Sequence, residues 1–452
     1  MKVYKLSISL ALSAFITVSA QGASVPKNVI FMIADGMGFN HIEAASLYRY
    51  GASDGQIYHS FNPLAVRTAS LNTIQGYAPD VVHQNFKNFL KNPTDSASSA
   101  TALSTGVKTR NGMLGMDPDG NHLRHLMEDA EDMGKATGVL TTVYFVHATP
   151  AGFTANVKSR SESEKIANQM LWNSRADVII GAGHPWYNDD GQKVGGYQPD
   201  PFSTPLKYER VGGLESWKKL LDGEPGADAN GDGTPDAWTM IDARQDIRAL
   251  AGAKDDIPKR LLGLVPVYST LQQSRSGNQF LPPYGEPLVP TTPTMTELMA
   301  AALNVLNQDE DGFVLMAEGG AVDWAGHANQ SGRMIEEQID FDRAIEFTVE
   351  WVEKNSNWDE TLLVITADHE CGYLCGPGSD PTWQPLVPHG AGKMPGMEWH
   401  STGHTNQLVP LFSKGAGAEM YKQKIIGKDP IHGPFIDNTA IPTLVRELWK
   451  KK

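Results

Sequence analysis

Asn28-Val-Ile-Phe-Met-Ile-Ala34 runs without a break into Asp35-Gly36-Met37-Gly38. An apolar run that does not alternate suits a strand covered on both faces, as in a parallel sheet. Five more runs of this kind follow, at 137–143, 177–181, 312–317, 361–367 and 408–413. Amphipathic segments lie between them. Leu123, Leu126, Met127, Ala130 and Met133 form one stripe, with Asn121 as cap and Gly134 as stop. Ser161 with Glu164 reads as a capping box. Ile335, Ile339, Ile345, Val349 and Val352 recur at helical spacing through 332–354. Strands alternating with helices predict an α/β protein, a three-layer α/β/α sandwich around a large, mostly parallel central sheet. Residues 185–293 are rich in Pro, Gly and Asp with weak periodicity, and are expected to form an inserted accessory subdomain apart from the sheet. Residues 51–93 read as an irregular surface excursion.

The chain of 452 residues allows two or three domains, or one large α/β domain with insertions. Its Lys and Arg total 38 against 52 Asp and Glu, which excludes a nucleic-acid coat that works by displacing counterions. An anionic substrate stays open if bound cations supply local positive charge. Two cysteines cannot build a disulfide scaffold. Residues 1–20 have the parts of a secretory leader: Lys2 and Lys5, an apolar run from Leu6 to Val18, then small residues, with cleavage after Ala20 or Ala23. The expected product, 24–452, is periplasmic or secreted, with no membrane span in the mature chain.

Three apolar runs end in a carboxylate: Asp35, Glu318 and Asp368. In open parallel sheets the crevice beyond the C-terminal strand ends is the usual site. Carboxylates converging there repel one another unless cations join them. Other donors stand near in sequence: Asp323 and His327 four residues apart, His369 beside Asp368, and His404 before the last run. Mixed Asp/His donors suit zinc, and carboxylate with hydroxyl suits magnesium. In Thr94-Asp95-Ser96-Ala-Ser-Ser-Ala-Thr101, Thr94 or Asp95 can cap a helix whose first turn holds Ser96. There the free N–H groups favour an alkoxide and a bound phosphate. Close packing of a small-residue helix is the competing reading of that stretch.

These motifs, with Thr105-Gly-Val-Lys-Thr, His147-Ala-Thr149-Pro-Ala and Ser159-Arg160, resemble the alkaline phosphatase family from Val29 to Leu411. The resemblance implies Ser96 as a nucleophile that becomes phosphoserine, in a phosphomonoesterase of broad substrate range. It implies two Zn²⁺ and one Mg²⁺: Asp323, His327 and His404 at the first zinc; Asp35, Asp368, His369 and Ser96 at the second; Asp35, Thr149 and Glu318 at the magnesium. Arg160 would grip phosphate. His147, on the magnesium side, and Trp324, near the phosphate pocket, stand where some members have Asp and Lys. Three divalent ions against the four carboxylates leave the cluster positive, as a phosphate dianion requires. A homodimer is common in the family; monomers stay open.

Asp228, Asn230, Asp232 and Asp236 resemble the opening of a calcium loop, but Thr239 stands where the closing Glu would be, so calcium binding and a metal-free Asp/Gly turn both stay open. Cys371 and Cys375 are expected to form a small-loop disulfide beside the site; zinc ligation by thiol would need more partners. Competing functions are a phosphodiesterase or sulfatase of the same superfamily and a non-catalytic exported phosphate- or calcium-binding protein. Ser96 lacks the sulfatase C/S-x-P-x-R context, and diesterases often use Thr and lack the third metal and the arginine.

Overall fold

The computed structural model describes residues 24–73, 77–195, 207–380 and 382–450. The leader and its cleavage point after Ala20 or Ala23 lie outside these. Among the described residues no helix is long and apolar enough to cross a membrane.

Eleven strands form the central sheet. In chain order they are β1 (Asn28–Ala34), β2 (Asn62–Arg67), β3 (Ala136–Tyr144), β4 (Val178–Ala182), β5 (Thr239–Ile241), β6 (Leu261–Leu264), β7 (Phe313–Gly319), β8 (Thr361–Thr366), β9 (Val409–Gly415), β10 (Gly427–Asp429) and β11 (Gly433–Asp437). Their spatial order is β10-β11-β2-β9-β8-β1-β7-β3-β4-β6-β5. From β8 to β5 every neighbouring pair is parallel. β9 runs antiparallel between β8 and β2. Every residue of β1 and β7 is buried, as their unbroken apolar runs require.

Helices Ser96–Thr105, Leu126–Glu131 and Ala148–Thr154 pack together as one set. Phe39–Tyr50, Met295–Leu306 and Ser331–Asn355 form another. Both sets touch β7, so the sheet is sandwiched between them. Gly152 allows the first set to close up, since a Cβ there would stand 2.6 Å from Ala100 Cβ.

The structure revises several sequence-based expectations. Residues 185–293 are not apart from the sheet: β5 and β6 extend its edge beyond β4. Residues 51–93 are not wholly a surface excursion, because β2 enters the sheet beside β9. Asn121 caps no helix. Its backbone and side chain donate to Asp117, and the helix starts after His125. Ser161 is not a cap either, since the helix Ser163–Asn168 follows Glu162.

Candidate active site

Because β1 is flanked by β7 and β8 in parallel, its register sets Ile33 level with both Glu318 and Thr366. Asp35 and Asp368 each lie two residues further on, so three carboxylates reach the same end of the sheet. Gly36 turns the chain there with φ +78°, and a Cβ on it would stand 2.6 Å from Asp323 Cα. Only glycine fits both that conformation and that approach. Gly36 N–H and His369 N–H both donate to Asp368 Oδ1, at 3.1 and 2.9 Å. The carboxylate's other oxygen has no hydrogen-bond partner.

Helix Ala321–His327 carries Asp323 and His327 at i and i+4, and their donor atoms meet at 3.3 Å. His404 Nε2 lies 3.4 Å from Asp323 and 3.1 Å from His327 Nε2. Both imidazoles are aimed from behind. His327 Nδ1 meets Thr402 O at 2.6 Å and His404 Nδ1 meets Thr94 O at 2.9 Å, which frees each Nε2 to face inward. On the next flank His369 Nε2 lies 3.1 Å from Asp368, 3.4 Å from Asp35 and 3.2 Å from Ser96 Oγ. His147 Nδ1 faces Asp35 at 3.7 Å and Glu318 at 3.8 Å. Glu318 Oε1, both Asp35 oxygens, His147 Nδ1 and Thr149 Oγ1 are buried without partners.

Among the described residues, three groups of potential ligands gather, the ligand atoms within each group lying within 4.8 Å of one another: Asp323, His327, Cys371 and His404; Asp35, Asp323 and His369; Asp35, His147 and Glu318. Asp35 belongs to two of them, as a bridging carboxylate would. Such orphaned, buried O and N donors fit divalent cations.

The electrostatics agree. Asp35 is pushed well above the ordinary carboxylate value by burial first, then by Asp368, Asp323 and Glu318. Burial and the charge of Asp323 raise Asp368 to about 7. Burial also acts to raise Asp323, but its close contact with His404 and the charges of three imidazoles outweigh it and hold it below the usual range. Burial lowers His404, yet its contact with Asp323 lifts it to about 9. The cluster is thus a concentration of buried negative charge that protons or metal ions must offset.

Ser96 opens the helix Ser96–Thr105, with Asp95 rather than Thr94 as its cap, accepting from Ser98 N–H at 3.0 Å. Asp95 Oδ2 also holds Gly112 N–H at 3.0 Å and Arg160 Nη1 at 3.2 Å. Ser96, His147, Arg160, Asp323, Trp324, His327 and His404 line one open pocket of about 400 Å³. Trp324 stands edge-on to Tyr144 and tilted against His147.

Sequence reasoning missed two supporting contacts. Thr141, paired with Glu318 across β3 and β7, donates to Glu318 Oε2. Asp95 pins Arg160; the sequence marked it only as a cap. The expected disulfide does not form. Cys371 and Cys375 are free, buried thiols. Gly372 and Tyr373 between them adopt left-handed φ, and Cys371 pairs with His404 while Cys375 pairs with Glu398. In the 228–236 loop, Asp228 accepts from Gly231 and Gly233 N–H, Asn230 from Asp232, Asp232 from Thr234, and Asp236 from Ala229. Those oxygens are engaged as in an Asp/Gly turn.

Comparison with known proteins accords with this geometry. The alkaline phosphatase family model matches residues 26–395. Alkaline phosphatase of Escherichia coli is 31% identical over 369 residues, covering 76% of this chain and 70% of its own length. Alkaline phosphatase 4 of Bacillus subtilis is 28% identical over 364 residues, covering 79% of this chain; the match spans 64% of that relative's length. Among solved structures, alkaline phosphatase from the Antarctic bacterium TAB5 has the same fold, with a TM-score of 0.63 at 24% identity over 95% of this chain and 99% of its own. The chain belongs to the alkaline phosphatase family.

Proposed function

We propose that this protein hydrolyses phosphate monoesters through a phosphoserine formed on Ser96. The observation that carries the reading is Ser96 Oγ, 3.2 Å from His369 Nε2, opening onto buried carboxylates whose oxygens lack partners. Asp323, His327 and His404 would hold one Zn²⁺, and Asp35, Asp368 and His369 a second. Asp35, Glu318 and Thr149, with His147 beside them, would hold Mg²⁺. When bound, these cations would offset the carboxylates, favour the Ser96 alkoxide and an attacking hydroxide, and take up charge on the departing oxygen.

The chain's own groups do the rest. Ser96 is the first residue of helix Ser96–Thr105, an end whose positive field favours negative charge. Arg160 is held by Asp95 and offers a planar fork to non-bridging phosphate oxygens. The open pocket leaves the alcohol portion few contacts, which supports a broad monoester range. The leader at 1–20 puts this chemistry outside the cytoplasm.

The test compares hydrolysis of p-nitrophenyl phosphate and its bis ester, with rapid-quench trapping of phosphate on Ser96. Preference for the monoester and a labelled Ser96 are expected. Preference for the bis ester would instead make this a phosphodiesterase, and no hydrolysis of either would leave a binding protein.

A further inference from the structure

We propose that Cys371 Sγ is a fourth protein donor to the cation held by Asp323, His327 and His404. The proposal rests on the metal reading above and concerns a residue that reading does not use.

Four donors from three segments meet at this point. Asp323 and His327 come from one helical turn, and Cys371 and His404 face each other across a two-stranded ribbon. Directly opposed residues in such a pair project to the same side, with Cβ atoms about 4.5–5.5 Å apart. All four ligand atoms lie within 4.8 Å of one another. The thiol reaches the helix because residue 326 is glycine: a Cβ there would stand 3.3 Å from both Cβ and Sγ of Cys371. Cys371 is fully buried and unbridged. A second observation points to a ligand independently. Asp323, only 4% exposed, keeps Oδ1 without a hydrogen-bond partner at this cluster. Cys375, four residues on, faces Glu398 and belongs to none of the ligand groups.

A thiolate changes what the site prefers. Carboxylate and imidazole alone take hard and borderline ions, and sulfur shifts the balance toward zinc, cobalt and cadmium over magnesium. In the binding step the metal–sulfur bond forms as the S–H bond breaks and its proton passes to solvent; no electron is transferred.

The experiment loads the metal-stripped full chain with Co²⁺ and records its near-ultraviolet spectrum, with bound cobalt measured by elemental analysis. A sulfur-to-cobalt charge-transfer band is expected in the unmodified chain and in Cys375→Ser, and is lost in Cys371→Ser. Chelator competition should show Zn²⁺ affinity lowered ~10-fold or more in Cys371→Ser. Cobalt bound to the unmodified chain without the band would overturn the donor assignment and leave the metal reading standing. Failure to retain cobalt at all would overturn both. Lower zinc affinity in Cys371→Ser without a band would assign Cys371 to support of Asp323 and refute direct ligation.

Discussion

Ser96 Oγ and His369 Nε2 stand 3.2 Å apart although 273 residues separate them in the chain. The serine is the first residue of its helix, and the histidine follows Asp368, two residues beyond the end of β8. Replacing Ser96 by Ala removes the hydroxyl that this helix start presents to the pocket. Turnover of p-nitrophenyl phosphate should fall by roughly 10³-fold or more, by analogy with loss of other enzymic nucleophiles. Metal content should stay unchanged. Near-normal kcat in that variant would end the nucleophile assignment.

Asp95 does three things at once: it caps the helix, holds the Gly112 amide and steadies Arg160. Asp95→Ala should cost about 1 kcal/mol of stability through the cap alone. Freed of its partner, Arg160 should grip phosphate less well, raising the inhibition constant for inorganic phosphate about 10-fold. Thermal melts and phosphate inhibition of the same preparation check both effects.

Thr141→Val keeps the shape of the side chain and removes the hydroxyl that donates to Glu318. A buried carboxylate oxygen left unpaired costs about 1–3 kcal/mol. The loss should concentrate on the ion beside Asp35, His147 and Glu318. Titrating activity with Mg²⁺ should show a weakened requirement curve, with zinc content unaffected. Equal loss of zinc would place the effect elsewhere.

In metal-stripped protein, stability should fall as pH rises from about 6.5 to 9. His404 is raised to about 9, so its contribution is complete below the unfolded histidine value and is lost as pH climbs through 9. Asp368 is raised to about 7, so its own destabilisation builds up below this window, as pH rises from the unfolded carboxylate value to about 7, and His404 carries the fall above it. Metal-loaded protein should show the opposite trend, because cations need deprotonated ligands. Melting curves across this range, with and without Zn²⁺ and Mg²⁺, distinguish the two; parallel profiles would contradict the cluster's role in cation binding.

The sheet was legible where long apolar runs had to be buried on both faces. β1, β3, β4, β7, β8 and β9 all announce themselves in that way. β5 has three residues and β6 four, and β2 begins at Asn62-Pro63; their pairing comes from neighbours far away in sequence, which no local pattern records. At the site, Asp35, Glu318 and Asp368 stood out because each ends an apolar run. The Thr141 contact did not, since it depends on the register between β3 and β7. The cysteine pair misled for a related reason: two left-handed residues separate thiols that close spacing suggested were bonded.

The direction of β9 has a consequence for biogenesis. Since Leu411 lies opposite Thr366 in antiparallel register, the approach to β9 delivers His404 to the end of the sheet that holds the candidate site. A chain still emerging, with everything through β8 already folded, would hold Ser96, Asp35, Glu318, Asp323 and His327 and yet lack Asp368, His369 and His404. On the proposed mechanism, competence arrives late in synthesis, and a nascent polypeptide stays chemically silent until the residues beyond β8 have docked.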